Sequence, residues 1–309
     1  MKYKIEQTDY AYIAGYIDGD GCFYIGNEKP NEKNKRLFQK PICGITIVST
    51  NEHVLQSFKK LFKGSVNVKI DKHENWKTLY QYCIKKHDSL NLMPNILPYL
   101  VEKHDECVLA MRFATTNDPT IRLDMVKQMK VLKSECNLVS KDCIVDYHAI
   151  RSTIIPTEID FAYLAGFIDA ECCFNIQKNK MPQGKPNCTY KIQLQCNNTK
   201  TPVFKWLLER FGGSLSFINR LKSQKARKNQ LKWFISGRAL NKILDKIHPF
   251  LLQKQPVCDE LIKFYRTTLP NGGARHTASF RTHYAQVLAI REEIVATIHK
   301  LNLKGINTI

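Results

Sequence analysis

The chain has 309 residues, of which 43% are hydrophobic, so it is long enough for two domains that each bury a core. Its 47 lysines and arginines exceed its 28 acidic residues by 19. This surplus predicts a polyanionic partner, with nucleic acid as the first candidate and a simple gain in solubility as the alternative. No run approaches the roughly 18 apolar residues of a membrane-spanning helix, which excludes an integral membrane protein of that kind.

The cysteines and the N-terminal residues indicate the cellular compartment in which the protein is found. There are 11 cysteines, an odd number with irregular spacing and no CxxC pair, which argues against a disulfide framework and a structural zinc site. Residues 1–6 lack the apolar segment of a secretion signal. We therefore expect free thiols in a reducing, intracellular compartment. Lysines far outnumber arginines, as in AT-rich genomes, so a chloroplast or mitochondrion is one candidate.

One stretch of the chain occurs twice, as YIAGYIDGDGCF at 12–23 and as YLAGFIDAECCF at 163–174. Each copy predicts an apolar helix rich in small residues that runs into acids and then into a strand. The Ala-Gly pair in each copy has almost no side-chain volume. Two such helices could therefore pack with their backbones very close.

Asp20 and Glu171 fall at the predicted C-terminal ends of these helices, where the helix dipole is already negative. If the two helices pack side by side, the two acids face each other. Their electrostatic repulsion is then unfavourable unless protons or a cation neutralise the two carboxylates. A shared divalent metal would remove it, since hard cations prefer carboxylates and backbone carbonyls.

Residues 13–21 and 164–172 resemble the two motifs of a LAGLIDADG homing endonuclease in its single-chain, two-motif form. The two motifs lie 151 residues apart, and each is followed by Cys-Phe. The second motif departs from the pattern twice, with Glu171 in place of Asp and Cys172 in place of the closing Gly. Because helix ends favour a left-handed Gly, we expect Cys172 to cost about 1 kcal/mol.

The duplication continues beyond the motifs, because each half reads helix, hairpin, helix, hairpin, helices. The predicted fold class is α+β, with two pseudo-symmetric αββαββα subdomains. The resemblance implies that their paired antiparallel sheets form a DNA-binding saddle. We place the N-terminal subdomain at 1–117, a linker with one helix at 118–158 and the C-terminal subdomain at 159–309.

Strand alternation gives each sheet one apolar and one polar face, and the polar face alone could simply be solvated. The resemblance implies instead that it lies in the major groove, where such side chains pair with base edges. The predicted DNA-binding residues are Tyr24, Thr46, Asn67, Lys69, Asp71, Asn175, Gln177, Asn179, Lys191, Gln193, Gln195 and Arg220. The basic loop residues predicted to meet phosphates are Lys33, Lys35, Arg36, Lys222, Lys225, Arg227 and Lys228.

The resemblance also implies a catalytic centre. Asp20 and Glu171 would bind Mg²⁺ with the backbone carbonyls of Gly19 and Ala170, and the metal would serve phosphodiester hydrolysis. A single acid at a helix end is common, so the duplication is what favours this interpretation. Each motif contains one other acid, two residues before the predicted metal ligand. These acids, Asp18 and Asp169, are predicted to have a structural or electrostatic role.

Two further pairs of residues accompany the acids. Lys103 and Lys254 close the similar segments PYLVEK and PFLLQK and are again 151 residues apart. They resemble the family's active-site lysine, which stabilises transition-state charge or positions water, although either could be a surface lysine. Ser49 and Asn198 fall where family members carry a polar residue that organises water.

By resemblance, the chain is a monomeric, intron-encoded DNA endonuclease. It would use a divalent metal to cut both strands of a long site across the minor groove, leaving short 3′ overhangs. One alternative is an intron RNA maturase on the same fold, and a second is a DNA-binding protein that does not cleave. The second alternative predicts a neutral residue at one acid position, and both acids are present.

Overall fold

The computed structural model describes residues 4–27, 41–69, 78–134, 147, 150, 152–179, 189–199, 202–219, 229–267 and 278–304. Each half of the chain repeats one order of elements. In the N-terminal half these are α1 (Gln7–Asp20), β1 (Gly21–Asn27), β2 (Pro41–Ser49), α2 (Glu52–Phe62), β3 (Ser65–Lys69), β4 (Leu79–Lys85), α3 (Lys86–Ile96), a 3-10 turn (Leu97–Tyr99), α4 (His104–Thr115) and α5 (Pro119–Ser134).

The C-terminal half follows the same plan. Its elements are α6 (Glu158–Glu171), β5 (Cys172–Asn179), β6 (Thr189–Asn198), α7 (Pro202–Phe211), β7 (Ser214–Ile218), β8 (Gln230–Ser236), α8 (Gly237–Ile247), a 3-10 turn (His248–Phe250), α9 (Gln255–Arg266) and α10 (Ala278–Lys304).

Each half contains a four-stranded antiparallel sheet, with strand order β1-β2-β4-β3 in the first and β5-β6-β8-β7 in the second. One face of each sheet packs on the helices, because alternate residues such as Ile45, Tyr82, Leu194 and Trp233 are fully buried. The opposite face carries the intervening polar residues. This confirms the predicted α+β fold with two pseudo-symmetric halves.

The halves meet along α1 and α6, which bury a continuous stretch of each helix. A Cβ atom added to Gly15 would lie 2.1 Å from the carbonyl oxygen of Tyr163. A Cβ atom on Gly166 would lie 1.9 Å from the carbonyl oxygen of Tyr12. Only glycine fits at these two crossing points, as the small-residue pattern predicts. The close approach sets the distance between the two helix ends.

The expected strain at Cys172 is wrong. Gly21 (φ −83°, ψ 164°) and Cys172 (φ −91°, ψ 162°) both follow their helices in extended conformation. The chain passes directly from helix into strand at these positions, without the left-handed turn that favours glycine. Cysteine therefore fits the backbone here without strain.

Helices α5 and α10 occupy matching places in the two halves. Lys133 of α5 donates to the carbonyl oxygen of Phe23 in β1 at 2.5 Å. Asn302 of α10 donates to the carbonyl oxygen of Phe174 in β5 at 3.1 Å. Helix α5, which the sequence assigned to the linker, thus packs on the N-terminal half. The domain limits at 117 and 158 stay predictions. Within the described ranges, no helix is long and apolar enough to cross a membrane.

We expect Gly166→Ala to lower the free energy of unfolding by about 3 kcal/mol, because the added methyl group forces the paired helices apart. Urea denaturation followed by circular dichroism measures this. Gly26→Ala is the matched control, since a Cβ there meets nothing within 4 Å, and it should change stability by less than about 0.5 kcal/mol. Equal effects of the two changes would contradict the close helix contact.

Candidate active site

Asp18, which lies two residues before Asp20 in the first motif, anchors the loop that precedes α4. Its carboxylate accepts backbone N–H bonds from Val101 (2.7 Å), Glu102 (3.1 Å) and Lys103 (2.9 Å). It also accepts a 2.7 Å bond from the hydroxyl of Tyr163 on the partner helix. Burial of Tyr163, followed by the charge of Asp18, raises the pKa of the phenol, so the phenol stays a donor.

Asp169 repeats this arrangement in the C-terminal half. It accepts N–H bonds from Leu252 (2.8 Å), Gln253 (2.9 Å) and Lys254 (2.8 Å), and a 2.7 Å bond from the hydroxyl of Tyr12. These geometries support the structural role predicted for the two acids. Each one fixes a lysine-bearing loop to the end of its own helix and binds the opposite helix through a tyrosine.

The lysines of these loops cap the helix ends. The ammonium of Lys103, which is only 8% exposed, donates to the carbonyl oxygens of Ile17 (2.7 Å), Asp18 (2.9 Å), Gly19 (3.2 Å) and Gly21 (2.8 Å). Carbonyls at a helix C-terminus lack intrahelical partners and carry partial negative charge, so a buried cation is favourable there.

Lys254 makes fewer such bonds. Its ammonium donates to the carbonyl oxygens of Ile168 (2.6 Å) and Asp169 (2.7 Å), and the residue is half-buried. Since an ammonium has three protons, these two bonds leave capacity for a further acceptor. Lys103 has no such capacity, because four carbonyls share its protons. The duplicated lysines therefore differ in their surroundings.

Asp20 and Glu171, the last residues of α1 and α6, lie next to each other's helices. A Cβ on Gly19 would lie 2.4 Å from the Cβ of Ala170 and 3.0 Å from the Cγ of Glu171. Burial raises the pKa of Asp20 to about 6, and the charge of Glu171 adds to this. Burial also raises the pKa of Glu171, against the opposing effect of Lys103 and Lys254.

Ser49 and Asn198 are the last residues of β2 and β6, and each lies near a loop residue of the opposite half. Tyr16 donates to Ser49 Oγ at 3.1 Å and lies 3.5 Å from Gln253 Oε1. Asn198 Nδ2 lies 3.5 Å from Glu102 Oε2. Sequence reasoning did not select Glu102 or Gln253, although their position directly before each duplicated lysine was a usable signal.

The donor set fits magnesium. No cluster of three or more His, Cys, Asp or Glu residues with metal-binding geometry occurs in the described part of the chain. Mg²⁺ needs no such cluster, because it binds through one or two carboxylates and keeps water and substrate phosphates as its other ligands. Two adjoining carboxylates that repel each other match this requirement. Among the carbonyls predicted as ligands, that of Gly19 already accepts from Lys103.

The polar sheet faces carry most of the predicted DNA-binding residues. In the first sheet, Thr46 pairs with Cys22 and Cys83, and Asn67 pairs with Gln81, all on the face opposite the buried residues. Tyr24 and Lys69 share that face. In the second sheet the corresponding residues are Asn175, Gln177, Asn179, Lys191, Gln193 and Gln195. Asp71, Arg220 and the predicted phosphate-binding loop residues lie outside the described residues.

Sequence reasoning missed residues of β4 and β8 on the same faces. Gln81 donates to Thr46 Oγ1 at 2.8 Å, which holds its amide in place. Lys232 and Gln230 extend the second face. Alternation in β4 and β8 could have revealed them. In addition, the buried Gln195 Oε1 and Tyr24 hydroxyl have no hydrogen-bond partner among the described residues, as can occur in side chains that bind a ligand.

The fold and the site define a class of protein with two duplicated halves. Each half contributes one helix of a central pair, one acid at the end of that helix and one sheet with a polar face. The model of the LAGLIDADG endonuclease family matches residues 13–104 and 164–266. The chain belongs to this family. No curated protein sequence matches it closely enough to add to this comparison.

Solved structures of two homing endonucleases resemble the chain. I-SmaMI bound to uncleaved DNA with calcium ions has a TM-score of 0.62 and 16% identity, with 96% of this chain and 99% of that chain covered. I-SmaMI bound to cleaved DNA has a TM-score of 0.63 and 15% identity, covering 97% and 98%. I-AabMI bound to uncleaved DNA has a TM-score of 0.57 and 20% identity, covering 94% and 97%. At these identities the likeness shows the fold.

We expect Asp20→Asn to stabilise the metal-free protein at pH 8, because the folded state raises the pKa of Asp20 to about 6. Protonation of this group favours the folded state below the unfolded pKa, and the benefit is lost as pH rises through 6. Since Asp20 is partly exposed and water screens its charge, the gain should be only about 1 kcal/mol at pH 8 and smaller at pH 5. Thermal unfolding in EDTA tests this. Asp18→Asn, which weakens four hydrogen bonds, should destabilise at both pH values.

Lys103→Met should lower stability by about 3 kcal/mol, roughly twice the loss for Lys254→Met. The physical reason is that Lys103 satisfies four carbonyls and Lys254 satisfies two. Urea denaturation of both variants in EDTA gives the comparison. Equal losses would show that the two ammonium groups cap the helices to the same extent.

Proposed function

We propose that this chain is a site-specific homing endonuclease that hydrolyses both strands of a long DNA duplex. The observation that carries the proposal is the pair of adjacent acids, Asp20 and Glu171, at the adjoining ends of α1 and α6. One acid per half suits one cut per strand. Membership of an endonuclease family and similarity to enzymes solved with bound DNA support it.

Asp20 and Glu171 would hold Mg²⁺, which would activate water and neutralise charge on the leaving oxygen. The chain's own residues prepare this centre. Partial burial raises the pKa of both carboxyl groups, and the charge of Glu171 raises the pKa of Asp20 further, so a dication is the favourable neutralising partner. Lys254 has capacity to meet a phosphate oxygen, while Ser49 and Asn198 offer polar atoms at the edges of the centre.

The two polar sheet faces would bind DNA as a saddle in the major groove. Their amide and lysine side chains suit base edges, and the net charge of +19 suits the phosphate backbone. Because both faces belong to one chain, an imperfectly symmetric site can be read by a monomer. A cut across the minor groove that leaves short 3′ overhangs is the outcome we propose from the family resemblance.

The two alternatives lack a specific observation in their favour. A regulator that only binds DNA would not need two adjacent, mutually repelling carboxylates, which reduce stability. An RNA maturase remains compatible with the charge, but the similar solved structures described above are complexes with DNA.

The test is a cleavage selection on a randomised duplex library, with magnesium and calcium in parallel. The proposal leads us to expect discrete double-strand breaks at one long site in magnesium, and binding without cleavage in calcium. Tight binding to DNA with no breaks in magnesium would contradict it. Selective binding to RNA in the same format would favour the maturase.

We expect Glu171→Gln to reduce double-strand cleavage of the selected site by at least about 1,000-fold, because the metal loses one of its two carboxylates. Binding in calcium should change by less than about threefold, since the sheet faces are untouched. Glu293→Gln, an exposed acid on α10, is the control and should cleave normally. Unchanged cleavage by Glu171→Gln would show that the metal site has been assigned wrongly.

A further inference from the structure

The two lysine-bearing loops differ at one charged position. Glu102 precedes Lys103 and Gln253 precedes Lys254, so the duplication places a carboxylate in one loop and a neutral amide in the other. Both residues have the same backbone anchoring, since Glu102 N–H donates to Asp18 at 3.1 Å and Gln253 N–H donates to Asp169 at 2.9 Å. Exchanging the two side chains therefore leaves this anchoring in place.

Both side chains reach the opposite half of the molecule. Glu102 Oε2 lies 3.5 Å from Nδ2 of Asn198, the last residue of β6. Gln253 Oε1 lies 3.5 Å from the Tyr16 hydroxyl, which donates to Ser49. Each catalytic acid thus shares its surroundings with a loop residue from the other half. We call these the Asp20 site, with Ser49 and Gln253, and the Glu171 site, with Asn198 and Glu102.

The two sites differ in negative charge. Asp20 and Glu171 adjoin and contribute one carboxylate each, but the Glu171 site also has the carboxylate of Glu102 where the Asp20 site has the neutral amide of Gln253. The strand register places Glu171 beside the same end of β6, because Cys172, which directly follows Glu171, pairs with Cys196, two residues before Asn198. The two carboxylates therefore act on the same part of the second sheet.

Carboxylate count controls affinity for hard divalent cations, because each added negative charge near the ion lowers its free energy in the site. The second carboxylate need not contact the cation. A carboxylate beside the site attracts the dication through water in the same way, with a smaller effect.

We infer that Glu102 is a positioning residue that gives the Glu171 site a higher affinity for a divalent cation than the Asp20 site. The inference has a consequence for cleavage, which rests on the proposed function. The DNA strand at the Glu171 site is cut at a lower magnesium concentration than the other strand. Ordered cleavage would then follow from one side-chain difference between the two loops.

The first experiment titrates Tb³⁺ into the protein without DNA and follows luminescence sensitised by the nearby tyrosines. Wild type should show a tighter and a weaker binding step. Glu102→Gln should weaken the tighter step roughly tenfold, and Gln253→Glu should strengthen the weaker step. Glu293→Gln is the control for surface charge. Identical titration curves for wild type and both loop variants would overturn the inference.

The second experiment measures nicking of each strand of the selected duplex against magnesium concentration. In wild type one strand should be cut at lower magnesium, Glu102→Gln should remove that difference, and the double exchange of Glu102→Gln with Gln253→Glu should reverse it. A purely structural Glu102 would leave the strand order unchanged, which overturns the inference. If wild type cuts no DNA, the proposed function fails, while the terbium titrations still decide the inference about cation affinity.

Discussion

The backbone contact between α1 and α6 at Gly15 and Gly166 is the constraint on which the structure depends. Because neither helix carries a side chain at the crossing point, the two helix ends approach each other closely. Their last residues, Asp20 and Glu171, therefore meet with like charge at the adjoining helix ends. The duplicated halves, the crossed tyrosine bonds and the lysine caps all act on this one junction.

The junction combines stabilising and destabilising terms in a way that suits a catalytic site. Burial and mutual repulsion disfavour the ionised acids, as the raised pKa of Asp20 shows. The same repulsion makes the junction attractive to a dication. Anchoring by Asp18 and Asp169 offsets part of the cost, since each carboxylate accepts four hydrogen bonds. Stability is thus lower where the proposed chemistry takes place.

Much of this arrangement follows from local sequence pattern. Small residues at helical spacing predicted the helix pair, and alternation predicted which face of each sheet is polar, as Thr46 and Gln193 illustrate. The cap that Lys103 forms on four carbonyls could not be predicted, because it depends on how a loop folds back over a helix end. The error at Cys172 has a similar origin, since the dihedral angles there follow from a strand that begins directly after the helix.

The most direct test of the account is a crystal of the protein with manganese, a divalent ion whose anomalous scattering locates it. We expect anomalous density beside the carboxylates of Asp20 and Glu171, at the adjoining ends of the paired helices. Manganese bound elsewhere, with both carboxylates uncoordinated, would contradict the claim that this helix pair exists to hold a metal between its ends.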